Sequence, residues 1–121
     1  MFDHVKFGVR DFAKSREFYL RALEPIGVTV VTDWPPDGVE ISQPGGLSSL
    51  CLYQTDQEPA HLHIAFVAKE RNQVDAFYQA ALEAGGTDNG PPGIRSQYSD
   101  SYYAAFVLDP DGHNIEAVCH E

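Results

Sequence analysis

Apolar and polar residues alternate from Phe2 to Arg10, with Val5, Phe7 and Val9 on one face and His4, Lys6 and Gly8 on the other. That is the period of a half-buried strand. From Asp11 the period lengthens. Phe12, Ser15, Tyr19, Ala22, Leu23 and Ile26 fall on one helical stripe, Asp11 stands where an N-cap is needed, and Gly27 follows the end. Three shorter strands are then predicted at about 28–32, 38–42 and 47–54, punctuated by Pro35-Pro36 and Pro44-Gly45-Gly46. The same order returns later in the chain. Leu62, Ile64 and Phe66 face one side of a strand, with His61, His63 and Ala65 opposite. A helix from about Glu70 turns Val74, Phe77, Tyr78, Ala81 and Leu82 inward and stops at Gly85-Gly86. The stretch 87–98 is weakly patterned and rich in Gly and Pro, whereas 102–108 and 114–119 read clearly as strands. Between these two, Asp109-Pro110-Asp111-Gly112 is a turn: Pro presets one φ and Gly supplies a positive one.

The recurrence is a duplication. Shifting the chain by 59 residues aligns His4–Gly27 with His63–Gly86 without a gap. Eight of the 24 pairs are identical: His4/His63, Phe7/Phe66, Phe18/Phe77, Tyr19/Tyr78, Ala22/Ala81, Leu23/Leu82, Glu24/Glu83 and Gly27/Gly86. Each copy reads β-α-β-β-β. The fold class expected is therefore α+β: two tandem βαβββ modules, about 1–57 and 58–121, forming a cleft-bearing mixed sheet within one domain spanning 1–121.

Composition narrows the partners. With 121 residues, 43% of them hydrophobic, the chain can bury a real core, and no segment approaches the roughly 20 apolar residues that span a bilayer. The N-terminus shows no basic-then-apolar leader, so a cytoplasmic location is expected. Eighteen acidic residues against eight basic ones give a net charge of −10. That field repels phosphate backbones and anionic membranes, so nucleic acid and membrane are not expected partners, although one local Arg can still dominate a small pocket. Cys51 and Cys119 lack metal-ligand spacing and read as free thiols.

Strand parity points to the chemistry. If the apolar face of each opening strand covers its helix, His4 and His63 lie on the other face, at equivalent positions in the two copies. Ile115 and Ala117 suit the helix side of the last strand, which turns Glu116 the same way as the histidines. Two imidazoles and a carboxylate suit a divalent transition metal with open positions, such as iron, zinc, nickel or manganese. A small substrate can present two adjacent oxygens there. Arg95 is one of few cations and is a candidate for clamping a carboxylate or phosphate. Tyr98 and Tyr103 are candidates to line the pocket, and Tyr103 with Glu116 to take part in catalysis. Lys6 shares the face of His4. His113 and His120 read as turn and tail residues, and Trp34 as a pocket-rim or interface residue.

The duplicated β-α-β-β-β unit, Asp3-His4-Val5, His63-Ile64-Ala65-Phe66, and Asp109-Pro110-Asp111-Gly112 followed by Asn114-Ile115-Glu116 together resemble the vicinal oxygen chelate superfamily. That superfamily includes glyoxalase I, extradiol dioxygenases, methylmalonyl-CoA epimerase and the fosfomycin and bleomycin resistance proteins. The resemblance covers nearly the whole chain. It implies that His4, His63 and Glu116 match metal-ligand positions, that a divalent metal is the cofactor, and that the protein is a metal-dependent lyase, isomerase or dioxygenase acting on a small molecule. The alternative it implies is a binding protein that sequesters a small molecule without chemistry. Members of this size are often homodimers. Glyoxalase I-like members generally take a fourth ligand, usually Glu, from the last strand of the first copy. Cys51 stands there in this chain, as a candidate substrate-lining residue.

Overall fold

A computed structural model describes residues 1–58 and 60–121. The first copy forms β1 (His4–Val9), α1 (Phe12–Leu23), a 3-10 turn (Glu24–Ile26), β2 (Thr29–Trp34), β3 (Gly38–Ser42) and β4 (Ser49–Gln54). The second forms β5 (His63–Val67), α2 (Arg71–Glu83), β6 (Thr87–Asp88), β7 (Gly93–Ile94), β8 (Tyr103–Leu108) and β9 (Asn114–Cys119). The fold is α+β, with two mixed sheets and not one. The first sheet runs β1-β4-β3-β2; the second runs β5-β9-β8-β6, with β7 also on β8. In each copy the opening strand lies parallel to the last one, and the other neighbours are antiparallel. The weak stretch 87–98 yields two strands of two residues each, because prolines at 91 and 92 remove the amides a ladder needs.

The helices start where the sequence expects. The Asp11 carboxylate accepts from the Lys14 amide, and Glu70 forms a capping box with Gln73. Phe18, outside the expected stripe, is fully buried with Tyr19, Ala22 and Leu23. The two helix ends differ. Gly27, at φ +89°, closes the 3-10 turn, while Gly85, at φ +97°, closes α2. The repeated glycine of the second copy, Gly86, serves a different need: a Cβ there would lie 2.7 Å from the Phe18 ring and 2.8 Å from the Ala81 carbonyl. It lets the second copy close on the helix of the first.

One core serves both copies. Val39, Ile41, Leu50 and Leu52 from the first sheet and Ala105, Val107, Ile115 and Ala117 from the second join Phe18, Leu23, Val74 and Phe77 of the helices in a single buried cluster. The helices pack on each other within it. The opposite face of each sheet, bearing His4 and His63 respectively, lies away from that core. A polar bolt crosses it. The buried Tyr19 hydroxyl of α1 donates to Asp109 Oδ2 at 2.5 Å, and Asp109 Oδ1 accepts from the amides of Asp111 and His113 in the β8–β9 turn. Burial, then the Asp109 charge, holds the Tyr19 phenol well above its ordinary pKa, so the donor keeps its proton. His113, read from sequence as a turn residue, is fully buried, and its Nδ1 accepts from the Leu62 amide at 3.0 Å.

Tyr19→Phe strands a buried carboxylate oxygen and is expected to cost about 1–3 kcal/mol in urea unfolding. The Ser15 hydroxyl, buried on the same helix without a partner among the described residues, makes the contrast: Ser15→Ala is expected to be neutral or stabilising. Equal losses from the two substitutions would refute this account.

Candidate functional site

On the open face of the second sheet, His63 and Glu116 meet. Glu116 lies between Ala65 of β5 and Phe106 of β8. The His63 Nε2 is 2.9 Å from its Oε1. Glu116 is only 2% exposed although it faces away from the core, because side chains close over it. A buried carboxylate needs partners for both oxygens. The second partner is Tyr102, whose hydroxyl donates to Oε2. Burial first, then the bond to Glu116 and its charge, pushes the Tyr102 phenol up to about 12. The Tyr102 ring is held by Tyr98, with centroids 4.9 Å apart, and meets His120 edge-on at 5.2 Å.

Tyr102 is the residue that sequence reading missed, and Tyr103 is the one it chose instead. The alternation of β8 explains the correction. Tyr103, Ala105 and Val107 face the helices, and the Tyr103 hydroxyl donates to Asp75 of α2 at 2.6 Å, beside Arg71. Its even-numbered neighbours face the site. Parity from Glu116 back across the strand pair would have found Tyr102.

Beyond Glu116 lies the Phe106 ring, 6.1 Å from that of His63. Arg95 stacks on Phe106 at 5.2 Å. Its two terminal nitrogens donate to the carbonyls of Gly93 at 2.9 Å and Pro91 at 2.7 Å. No carboxylate among the described residues pairs with it, so its charge is oriented but not neutralised. Tyr98 is largely exposed at the same rim.

The first sheet presents the equivalent face. His4 pairs with Ser49 and Lys6 with Cys51, repeating His63 with Asn114 and Ala65 with Glu116. Cys51 therefore does occupy the place of Glu116. Glu40 flanks it on β3. This face floors a cleft of about 780 Å³ walled by Trp34, Pro35 and Tyr53. The Lys6 ammonium sits 5.3 Å from the centre of the Tyr53 ring. Burial, then the Glu40 charge, raises the Cys51 thiol pKa. His4, half-exposed, has its Nδ1 2.7 Å from Asp3.

Within one chain, then, His63 and Glu116 come together and His4 does not join them. Among the described residues, the three-residue group with ligand atoms within 4.8 Å of one another is Asp109, Asp111 and His113. All three side chains already hold the turn through hydrogen bonds. Asp109 takes Tyr19 and two amides, Asp111 accepts from the Arg10 amide, and His113 accepts from Leu62. It is the lock of a turn. The leftover His113 Nε2 belongs to a ring that meets Phe7 edge-on at 5.5 Å.

Comparison with known proteins agrees with this architecture. A glyoxalase/bleomycin resistance protein of Albidiferax ferrireducens T118 is 30% identical, with a TM-score of 0.82, over 100% of this chain and 99% of that one. A glyoxalase-assigned structure from Bacillus halodurans, 24% identical over 98% and 95% of the chains, has a TM-score of 0.77 and shares the fold. Among curated proteins, metallothiol transferase FosB of Shouchella clausii (strain KSM-K16) is 40% identical over 57 residues, 47% of this chain and 37% of that relative's length. The match thus spans little more than a third of that relative. The family described as Glyoxalase/Bleomycin resistance protein/Dioxygenase superfamily matches residues 1–117, and the chain belongs to it.

Proposed function

We propose that this protein is a metal-dependent enzyme of the glyoxalase-like class, in which His63 and Glu116 of one chain and His4 of a second chain hold one divalent ion. The observation that carries the proposal is the His63–Glu116 pair: an imidazole nitrogen and a carboxylate oxygen 2.9 Å apart, on a face turned away from the core. The donor set of two imidazoles and one carboxylate fits a transition metal with positions left open. When bound, such an ion acts as a Lewis acid toward two adjacent substrate oxygens. The partial likeness to a metallothiol transferase supports a metal-dependent reading.

The packing supports the involvement of a second chain. Both helices lie in one core, so the His4 face and the His63 face each look out from it. A homodimer in which the open face of one copy covers that of another brings the halves together. Arg95, fixed by two carbonyls, then offers its remaining N–H groups to an anionic part of the substrate, and Lys6, Cys51 and Tyr98 line the space around it. Two free thiols suit a reducing setting, and we place the protein in the cytoplasm. Among the described residues no helix is long and apolar enough to cross a membrane.

A second reading has its own support. The aromatic walls of the first-sheet cleft suit simple sequestration of a small molecule, without a metal.

Metal analysis after loading with nickel, cobalt, iron or zinc is expected to give one ion per chain, lost in His63→Ala, Glu116→Gln and His4→Ala. Co-refolding His4→Ala with His63→Ala then tests sharing between copies. Random pairing makes half the dimers mixed, and each mixed dimer has one intact site, so about a quarter of the wild-type metal returns. No recovery would count against the shared site; wild-type protein that takes up no ion would favour sequestration. A further outcome concerns the cleft. Because burial and Glu40 raise the Cys51 thiol, its alkylation near pH 7 is expected to be slower than that of a free thiol and to accelerate as pH rises, with Glu40→Gln moving the profile to lower pH. An unchanged profile in that variant would remove Glu40 as a cause.

A further inference from the structure

We propose that Tyr102 is a positioning residue for Glu116: its hydroxyl holds Oε2, so that the carboxylate offers a single oxygen, Oε1, on the side of His63. The inference rests on the metal reading of His63 and Glu116 and extends it to a residue that touches neither ion nor substrate.

Tyr102 stands apart from three other tyrosines with carboxylate partners. Tyr19 donates to Asp109, Tyr78 to Asp88 and Tyr103 to Asp75, and none of these aspartates lies beside a histidine of an open face. Tyr102 alone, among the described residues, donates to a carboxylate that is also hydrogen-bonded to a histidine ring nitrogen. Its own place is set independently of that carboxylate. The ring is lodged between Tyr98 and His120, and its carbonyl accepts from the Arg95 amide at 2.8 Å. The loop that carries Arg95 therefore also fixes the phenol.

The physical consequence concerns the freedom of Glu116. A carboxylate with one oxygen unengaged can rotate and grip a cation with both oxygens. With Oε2 held by a strong charge-assisted hydrogen bond, that rotation breaks a buried contact. Glu116 is thus restricted to one donor atom, and an ion held there keeps a position for substrate. Partners of this kind around a metal-binding carboxylate are typically worth about 10- to 100-fold in metal affinity.

The test is cobalt(II) titration of the full-length wild-type protein and of Tyr102→Phe, which removes one oxygen atom, with circular dichroism to establish that both are folded. Tyr78→Phe, on α2 and away from both open faces, is the control. The expected result is about 10- to 100-fold weaker cobalt binding in Tyr102→Phe, together with an altered visible cobalt spectrum, and neither change in Tyr78→Phe. Unchanged affinity in Tyr102→Phe, or weaker affinity with an unaltered spectrum, overturns the role of Tyr102 while leaving the metal reading intact. A wild-type protein that binds no cobalt overturns the metal reading itself.

Discussion

The structure depends on the burial of two helices in a single core. Neither βαβββ unit buries its helix alone: Phe18 and Tyr19 lie on adjoining sides of α1, and Val74 and Phe77 of α2 join them in one shared cluster. Packing the helices on each other, with a sheet closing over them from each copy, removes all of these from water, and full burial of each such side chain is worth about 1.5–3 kcal/mol. Gly86, pressed against Phe18, and the Tyr19–Asp109 bond show how closely the copies are fitted.

That solution fixes where polar chemistry can be. The inner faces are spent mainly on packing, and His4, His63, Cys51 and Glu116 sit on the outer ones. On the second sheet these groups are already connected, Tyr102 to Glu116 to His63. On the first, the corresponding row of Lys6, Cys51 and Glu40 floors a broad cleft. The chain thus carries two dissimilar polar faces, one linked by hydrogen bonds and one lined by Lys6, Cys51 and Glu40.

Much of this was legible in the sequence because it follows from period. Alternation gave the faces of the opening strands, helical spacing gave most of the buried stripe, and alignment of the last strands of the two copies put Cys51 in the place of Glu116. Other features follow from packing between distant segments, which a single strand's pattern does not carry. His113 looks like any turn residue until Leu62 is brought against it. Tyr102 and Tyr103 differ by one position at a strand end, where the point at which pleating begins decides which tyrosine faces Glu116. The separation of the sheet into two, with His4 apart from His63, reflects how helices share a core, and the alternation along either strand is the same whichever way they do so.

The unequal half-sites have a geometric consequence. Two identical modules facing each other would create a cavity with rotational symmetry, and such a cavity binds either end of a molecule with equal energy. Here Lys6 stands where the other copy has Ala65, and Cys51 where it has Glu116. The two surfaces are not equivalent, and a molecule lying between them would meet different groups at its two ends.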